Sequence, residues 1–255
     1  MSARERLDRV LVTRGLVPSR ERAKALIMAG KVLVDENRVE KPGTQVRADA
    51  RVRLAEGDFP YVSRGGVKLE GALKSFGIDP RHKKAIDVGA STGGFTDCLI
   101  QNGASKVFAV DVGYGQLAWK LQKDPRVVNL ERRNIRYLEF QEIGEPVDII
   151  VVDTSFISVR KFLGRLCEMI KDDGDIVILV KPQFEIGKGE VEKGGVVRDP
   201  VKHLRVVEKI QQWGIEIGLS VEGVMESPLK GTKGNTEFFV HFVKAQEHSR
   251  PSRCS

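Results

Sequence analysis

The chain has 255 residues, with 42 Lys and Arg, 35 Asp and Glu, a formal net charge of +7 and a hydrophobic fraction of 41%. This length allows one α/β domain with a small partner domain, and the composition is normal for a globular protein. No apolar run is long enough to span a membrane, and the charged N-terminus has no signal core, so we expect a cytoplasmic protein with no membrane partner. The cysteines, at positions 98, 167 and 254, show neither metal-ligand spacing nor an even framework, and no metal site is predicted.

Residues 1–58 are predicted to form a small α+β domain. A short helix is predicted after Leu7, Ser19 caps a second helix, and short strands separated by turns follow up to Leu54. Positive charge is concentrated here, because residues 1–31 hold eight Lys and Arg against three Asp and Glu. This surplus indicates a module that binds a polyanion, and a solvated basic face is the alternative that charge alone leaves open.

A linker is predicted at residues 59–63, where Pro60 disfavours a helix just before it. The second domain is predicted at 64–246 and a flexible tail at 247–255. Lys68 falls in the first turn of the helix that opens the second domain. A cation there is unfavourable against the helix dipole, which makes Lys68 a candidate functional residue, although a lone lysine is also explained as surface decoration.

The stretch from Lys84 to Gly113 predicts a strand, a glycine-rich turn, a helix and a second strand that ends on Asp111. Small residues in the turn let a ligand lie against the backbone, and a carboxylate at Asp111 can accept two hydrogen bonds from ribose hydroxyls. The pattern therefore indicates a nucleoside-containing ligand, with an ordinary βαβ turn as the alternative. Ser91 stands where a dinucleotide fingerprint needs glycine, and no phosphate-binding loop is present.

Charged residues also stand at the ends of three later strands in the predicted sheet. Asp153 and Lys181 come at the carboxyl ends of two near-continuous apolar runs, and Glu237 lies at the start of the last predicted strand. The carboxyl ends of strands are where ligands bind in open α/β sheets. A lysine at the end of a buried strand is costly unless it is paired, so these side chains are predicted to meet.

Three further features complete the second domain. Asn134 follows the third strand and could hydrogen-bond an adenine edge or simply occupy a turn. Residues 183–198 form a long, charged, glycine-rich loop that we expect to move or to meet substrate. A helix is predicted from Asp199 to Trp213, and a strand is predicted at 215–224.

Two segments resemble known domains. The string LDRVLVTRGLVPSRERAKALIMAGKVLVDENRVEKPG resembles the S-four-like RNA-binding domain of a ribosomal protein and several RNA-modifying enzymes. That resemblance implies RNA contacts by a set of basic residues: Arg4, Arg6, Arg20, Arg22, Lys24 and Lys31. The pattern Asp-x-Gly-x-x-x-Gly-Gly-Phe resembles motif I of class I S-adenosylmethionine-dependent methyltransferases, which implies a Rossmann-like α/β sheet with helices on both faces. It also implies cofactor contacts by Asp87, Gly89, Ala90, Ser91, Gly93, Gly94, Asp111 and Asn134.

The order Lys68, Asp153, Lys181 and Glu237 around motif I resembles the catalytic tetrad of FtsJ-like ribose 2'-O-methyltransferases. With the strings VSRGGVKL, VVDTSFIS, VKPQFE and SPxKGxxGNxEF, the chain is similar to the TlyA-type family, which is also labelled haemolysin-like. This resemblance implies S-adenosylmethionine-dependent methylation of a ribose 2'-hydroxyl, that of cytidine, in ribosomal RNA or ribosomal subunits. We expect the protein to act as a monomer.

A ribose 2'-hydroxyl is a poor nucleophile, so the reaction needs alignment and a way to remove or share the hydroxyl proton. We predict that Lys181 does this, either as a neutral base or as a cation that stabilises developing oxyanion charge. A buried ion-pair cluster with a structural role is the alternative for the four residues. The alternative functions are a non-catalytic RNA-binding or ribosome-assembly factor and a membrane-lytic protein, and the absence of a span or long apolar amphipathic helix argues against the latter.

Overall fold

The computed structural model describes residues 4–17, 19–28, 30–35, 37–54, 59–187, 189–192, 194–231 and 234–245. The chain divides into two compact units, Met1–Pro60 and Tyr61–Ser255. The predicted linker at 59–63 is therefore shared between the two units, and the predicted tail at 247–255 lies outside the described residues.

The first unit combines two helices with short strands around one apolar core. Helices α1 and α2 contribute Leu7, Leu11 and Ile27 to that core, and Val32 and Val52 join it from the strands. One three-stranded sheet has the order β3-β2-β5, and a separate pair joins β1 to β4. The predicted α+β character is confirmed. The elements are β1 (Arg4–Arg6), α1 (Leu7–Thr13), α2 (Arg20–Met28), β2 (Val32–Val34), β3 (Asn37–Arg38), β4 (Gln45–Arg47) and β5 (Val52–Leu54).

The second unit contains a seven-stranded sheet of order β8-β7-β6-β9-β10-β12-β11. The first five strands in this order are parallel, and β12 runs antiparallel to both of its neighbours. The strands are β6 (Lys84–Val88), β7 (Lys106–Asp111), β8 (Val127–Glu131), β9 (Val147–Val152), β10 (Ile170–Val180), β11 (Leu219–Glu226) and β12 (Phe238–Lys244).

Helices cover both faces of this sheet, because alternate residues of its central strands join two different apolar clusters. Leu69 and Leu99 pack with one cluster, and Leu166 and Ile210 pack with the other. The predicted α/β sheet with helices on both faces is thereby confirmed. None of the described helices is long and apolar enough to cross a membrane. The helices are α3 (Gly65–Phe76), α4 (Gly94–Gln101), α5 (Trp119–Gln122), α6 (Phe140–Ile143), α7 (Leu163–Met169), α8 (Pro182–Glu185) and α9 (Pro200–Glu216).

The prediction of a strand from Ile215 is wrong. Ile215 belongs to α9, which continues to Glu216, and β11 begins only at Leu219. Gly218 separates the two elements with φ of +90°, a left-handed conformation that glycine adopts without steric cost and that helices commonly use to end. The apolar run suggested a strand, but the turn residue decides where the helix stops.

The order of the sheet reverses at β6, which lies between β7 and β9. Asp111 ends β7, and Asp153 and Lys181 directly follow β9 and β10, so all three stand at the carboxyl edge of the parallel strands. Glu237 directly precedes β12, whose antiparallel direction brings its start to the same edge. The fold therefore gathers these charged residues at one edge of the sheet, as predicted from their strand positions.

Candidate active site

A pocket of about 510 Å³ opens at the switch point between β6, β7 and β9. Four of the predicted cofactor residues line it: Gly89, Ser91, Asp111 and Asn134. Its other walls come from the ends of β6 and β7, from the loop after β8, and from the segment after β9. This volume lies within the range of small-molecule sites in proteins.

Asp111 organises the acidic side of the pocket. Its Oδ2 accepts a hydrogen bond from the Ser91 backbone N–H at 2.8 Å, and its Oδ1 accepts one from the Gly113 N–H at 2.7 Å. Each carboxylate oxygen has a second lone pair, so the side chain can still accept hydrogen bonds from a ligand. The arrangement fixes the carboxylate and leaves it suited to a ribose diol.

Gly89 lies where the backbone of β6 approaches the end of β9. A Cβ at this position would lie 2.6 Å from the Asp153 carbonyl oxygen, and φ is +85°. Only glycine fits both the contact and the conformation. Ala90 is buried beside this turn, facing a smaller space near Asp111 and Gln116 instead of the main pocket.

Gly93 and Gly94, predicted as cofactor contacts, do not line the pocket. A Cβ on Gly93 would lie 2.3 Å from Cδ1 of Leu121, and a Cβ on Gly94 would lie 2.2 Å from Oγ of Ser63. Their lack of a side chain therefore allows close packing of α4 against α5 and against the segment before α3. The glycine pattern combines a ligand-facing position with packing positions, which the sequence does not distinguish.

Asp87 also lies away from the pocket, in the interior of the unit. Its Oδ2 accepts hydrogen bonds from the backbone N–H and the hydroxyl of Thr96, at 2.8 and 2.6 Å. Burial raises the pKa of the Asp87 carboxyl to about 7, and the nearby Asp153 carboxylate acts in the same direction. Asp87 therefore joins β6 to α4 through Thr96 and does not line the pocket.

Asn134 occupies a turn, which is one of the two interpretations drawn from the sequence. Its Oδ1 accepts a hydrogen bond from the Arg136 N–H at 3.1 Å and caps the short 3-10 turn Ile135–Tyr137. The residue also lines the pocket. The cap fixes the direction of the amide and leaves its N–H₂ group as a donor for a ligand edge.

The four predicted catalytic residues form two ion pairs. The Nζ of Lys68 lies 2.5 Å from Oε2 of Glu237, with both side chains buried. The Nζ of Lys181 lies 2.6 Å from Oδ1 of Asp153 and donates a hydrogen bond to Ser155 Oγ at 2.9 Å. The structure therefore pairs each lysine with one carboxylate.

A second pocket of about 370 Å³ adjoins the first. Lys181 and Glu237 both line it, which brings the two ion pairs to one cavity, whereas Lys68 lines neither pocket. Ser155 and Phe156 line both pockets and mark the boundary between them. Asp153 lines the first pocket and Lys181 the second, so their ion pair connects the two spaces. This geometry suits a transfer between a ligand in each pocket.

A family model for the FtsJ-like methyltransferase matches residues 61–244, and one for the S4 domain matches residues 5–52. The chain belongs to the FtsJ-like methyltransferase family. This match confirms the predictions of a methyltransferase and of S-adenosylmethionine as its cofactor. The relatives described next confirm the resemblance to the TlyA-type family.

Two curated relatives and one solved structure show how far the similarity of this FtsJ-like methyltransferase extends. The 16S/23S rRNA (cytidine-2'-O)-methyltransferase TlyA of Mycobacterium tuberculosis is 48% identical over 241 residues, which cover 94% of this chain and 90% of that protein. YqxC of Bacillus subtilis, named as a candidate rRNA methyltransferase, is 47% identical over 94% of this chain and 86% of its own length. A solved chain from Streptococcus thermophilus, described as a candidate haemolysin, has a TM-score of 0.74 at 40% identity and covers 96% of this chain and 90% of that chain.

The residues of the first pocket fit the cofactor of an FtsJ-like methyltransferase. Gly89 lines the pocket at the turn after β6, and Asp111 offers lone pairs to a ribose. Asn134 offers an amide donor at the far wall. Among the described residues, no group of three or more His, Cys, Asp or Glu is arranged to hold a metal ion.

Sequence reasoning missed two residues between the pockets of this FtsJ-like methyltransferase. Ser155 contacts Lys181, and Phe156 is 88% exposed with φ of +65°. The Phe156 ring lies 4.9 Å from the ring of Phe184, measured between centroids. A bulky residue in the left-handed region is strained and uncommon outside functional sites. The string Asp-Thr-Ser-Phe after an apolar strand was the available signal.

In the S4 unit, Asp8 is a further residue that sequence reasoning missed. It is fully buried, and its carboxylate pairs with Arg6 at 3.0 Å and with Arg20 at 2.9 Å. The Arg6 hydrogen bond, opposed by burial, holds the pKa of Asp8 well below its usual range. The predicted RNA-contacting residues are otherwise distributed as follows: Arg4 on β1, Arg22 and Lys24 on α2, all exposed, and Lys31 half-buried before β2.

Proposed function

We propose that this FtsJ-like methyltransferase methylates the ribose 2'-hydroxyl of a cytidine in ribosomal RNA. The observation that carries the proposal is the Lys181–Asp153 ion pair, which connects the cofactor-sized pocket to a second pocket lined by Lys181 and Glu237. The name of the M. tuberculosis relative, a 16S/23S rRNA (cytidine-2'-O)-methyltransferase, supports the choice of substrate.

In the first pocket, S-adenosylmethionine supplies a methyl group that is already activated on a sulfonium. Asp111 would accept hydrogen bonds from the ribose hydroxyls of the cofactor, and Gly89 would lie beside the cofactor at the turn after β6. The Asn134 amide binds the adenine edge. These assignments rest on the lining of the pocket and on the free hydrogen-bonding capacity of each side chain.

In the second pocket, the target ribose places its 2'-hydroxyl at Lys181. A lysine nitrogen there can take the proton when neutral or can stabilise the developing oxyanion when charged. Asp153 holds the nitrogen at 2.6 Å, and Glu237, which is paired with the buried Lys68, also lines this pocket. Alignment of oxygen, methyl and sulfur supplies the rest of the rate enhancement.

The S4 unit binds the RNA through phosphates. Arg4, Arg6, Arg20, Arg22, Lys24 and Lys31 form the proposed contact set. Such contacts give affinity that depends on salt and position the substrate without reading its sequence. The protein is proposed to act on ribosomal RNA or ribosomal subunits in the cytoplasm, as a monomer.

The test is transfer of labelled methyl from S-adenosylmethionine to ribosomal subunits that lack this modification. Wild type is compared with Lys181→Ala and with Lys74→Ala, a matched exposed lysine on α3. We expect label at one RNA position that resists alkaline cleavage, lost in Lys181→Ala and retained in Lys74→Ala. RNA binding without any transfer by wild type would favour a non-catalytic assembly factor, and release of liposome contents would favour a haemolysin.

A further inference from the structure

Ser155 stands at the boundary of the two pockets and contacts the side chain that joins them. It lines both cavities, and its hydroxyl accepts a hydrogen bond from Lys181 Nζ at 2.9 Å. The residue is exposed, so it does not belong to the packed core of the unit. Its position points to a role in the reaction.

Lys181 makes two different kinds of contact, one with Asp153 and one with Ser155. Asp153 lies close enough for a strong charge–charge contact, but its Oδ1 has no aligned hydrogen bond with any described residue. Ser155 is the one side chain among the described residues that accepts an aligned hydrogen bond from Nζ. Asp153 therefore holds the nitrogen at a given distance, and Ser155 fixes the direction of one N–H.

Fixing one N–H restricts rotation about the Cε–Nζ bond, because the three substituent positions on the nitrogen are tetrahedral. The Lys181 side chain lines the second pocket and is 12% exposed. A position on nitrogen therefore remains for a ligand in that pocket. This holds for both protonation states, since a charged nitrogen presents an N–H there and a neutral one can present its lone pair.

The segments that carry Ser155 and Lys181 are joined a second time by their neighbours. Phe156 follows Ser155 with φ of +65°, and its ring contacts Phe184, three residues beyond Lys181. Pro182 is the first residue of α8 and fixes the backbone directly after Lys181. The hydrogen bond and the ring contact together hold the two segments in one arrangement.

We propose that Ser155 is a positioning residue, which directs the nitrogen of Lys181 toward the target hydroxyl. The inference rests on the proposed function, since it assigns Ser155 a part in the same transfer. Misplacement of a reacting group by about 1 Å can cost about 100-fold in rate. Loss of one hydrogen bond should cost less, about 10-fold in kcat.

The test compares wild type with Ser155→Ala, Ser155→Thr and the control Ser105→Ala. Ser105 is also exposed, and its hydroxyl also makes a hydrogen bond, to backbone carbonyls before β6. We expect Ser155→Ala to lower kcat about 10-fold. The KM for RNA, the S-adenosylmethionine affinity measured by calorimetry, and the unfolding midpoint should stay within about twofold of wild type. Ser155→Thr, which keeps the hydroxyl, should restore most of kcat, and Ser105→Ala should match wild type.

Several outcomes would overturn the inference. An unchanged kcat in Ser155→Ala would show that the hydroxyl does not direct Lys181. A loss of S-adenosylmethionine affinity would assign the hydroxyl to the cofactor instead, and a failure of Ser155→Thr to restore kcat would indicate a steric role. An inactive wild type would overturn the proposed function together with this inference, whereas an active wild type with an unaffected Ser155→Ala overturns the inference alone.

Discussion

Lys68 and Glu237 are 169 positions apart in the chain, yet the Nζ of one lies 2.5 Å from Oε2 of the other in the interior of the second unit. Both side chains are more than nine-tenths buried. The pair joins α3 to the start of β12 and places Glu237 in the wall of the second pocket. The pair therefore bears both on the stability of the second unit and on the wall of the second pocket.

Breaking this pair by Lys68→Met should destabilise the protein by about 3–5 kcal/mol, because the Glu237 carboxylate then stays buried without a partner. The double variant Lys68→Met/Glu237→Leu should recover most of the free energy of unfolding, since it removes both charges. It should remain inactive in methyl transfer, because Glu237 is part of the pocket wall. Urea unfolding with a methyl-transfer assay checks both statements.

The exposed pair of Arg165 and Glu168 provides the control for that comparison. Arg165→Ala should change the free energy of unfolding by no more than about 1 kcal/mol, because exposed ion pairs contribute little. A Lys68→Met variant as stable as Arg165→Ala would contradict the interpretation of the Lys68–Glu237 pair as a tightly coupled buried pair.

Gly89→Ala should weaken S-adenosylmethionine binding by at least about tenfold, because the added methyl meets the Asp153 carbonyl and the residue keeps a positive φ. Gly77→Ala is the matched control. Gly77 has φ of +69° at the end of α3, but a Cβ there meets no atom within 4 Å. It should cost about 1 kcal/mol of stability and leave cofactor affinity unchanged. Calorimetric titration of both variants with S-adenosylmethionine distinguishes the effect of the contact with Asp153 from the effect of backbone strain alone.

The positions of the charged site residues could be predicted from the sequence because each stands at the end of an apolar strand. Asp153 and Lys181 follow buried runs that a parallel sheet places side by side, so their meeting follows from topology. The roles of Gly93 and Gly94 could not be predicted, because glycine satisfies close packing and ligand approach equally well. Which neighbour a Cβ would meet depends on contacts between distant segments.

The sequence also did not predict the place of Ser155 and Phe156 in the site. The string Asp-Thr-Ser-Phe marks a position after an apolar strand, but the hydrogen bond between Ser155 and Lys181 and the left-handed backbone of Phe156 emerge only from the fold. Ile215 shows how a local pattern fails, since an apolar β-branched residue continued a helix until Gly218 ended it. Tertiary contacts and turn residues, which periodicity does not contain, decided these positions.

Asp8→Asn should reduce discrimination between target RNA and a nonspecific duplex, because Arg6 and Arg20 lose the carboxylate that orients them. The substitution also adds one net positive charge, so nonspecific affinity should rise while specific affinity falls. Binding titrations over a range of salt, with target and nonspecific RNA, measure the ratio. An unchanged ratio would mean that Asp8 stabilises the unit without organising the arginines.

Asp8 should also affect the stability of the folded protein at low pH. Its pKa is lowered in the folded protein, so the stabilisation is complete above the unfolded value of about 3.9 and is lost as pH falls below it. Wild type should therefore lose stability as pH falls below about 4, and Asp8→Asn should lose less over the same range. Thermal unfolding of the two proteins across this range is the measurement.

For Asp87 we expect the opposite dependence of protein stability on pH. Burial raises its pKa to about 7, so the folded protein holds a proton that the unfolded chain releases above about pH 3.9. Stability from this group therefore decreases as pH rises from about 4 to about 7 and changes little above that. Asp87→Asn keeps an oxygen that can accept from Thr96 and cannot ionise, so it should remove this decrease. Thermal unfolding of wild type and variant at about pH 5 and about pH 8 gives the comparison, and equal slopes for both would show that Asp87 is ionised throughout.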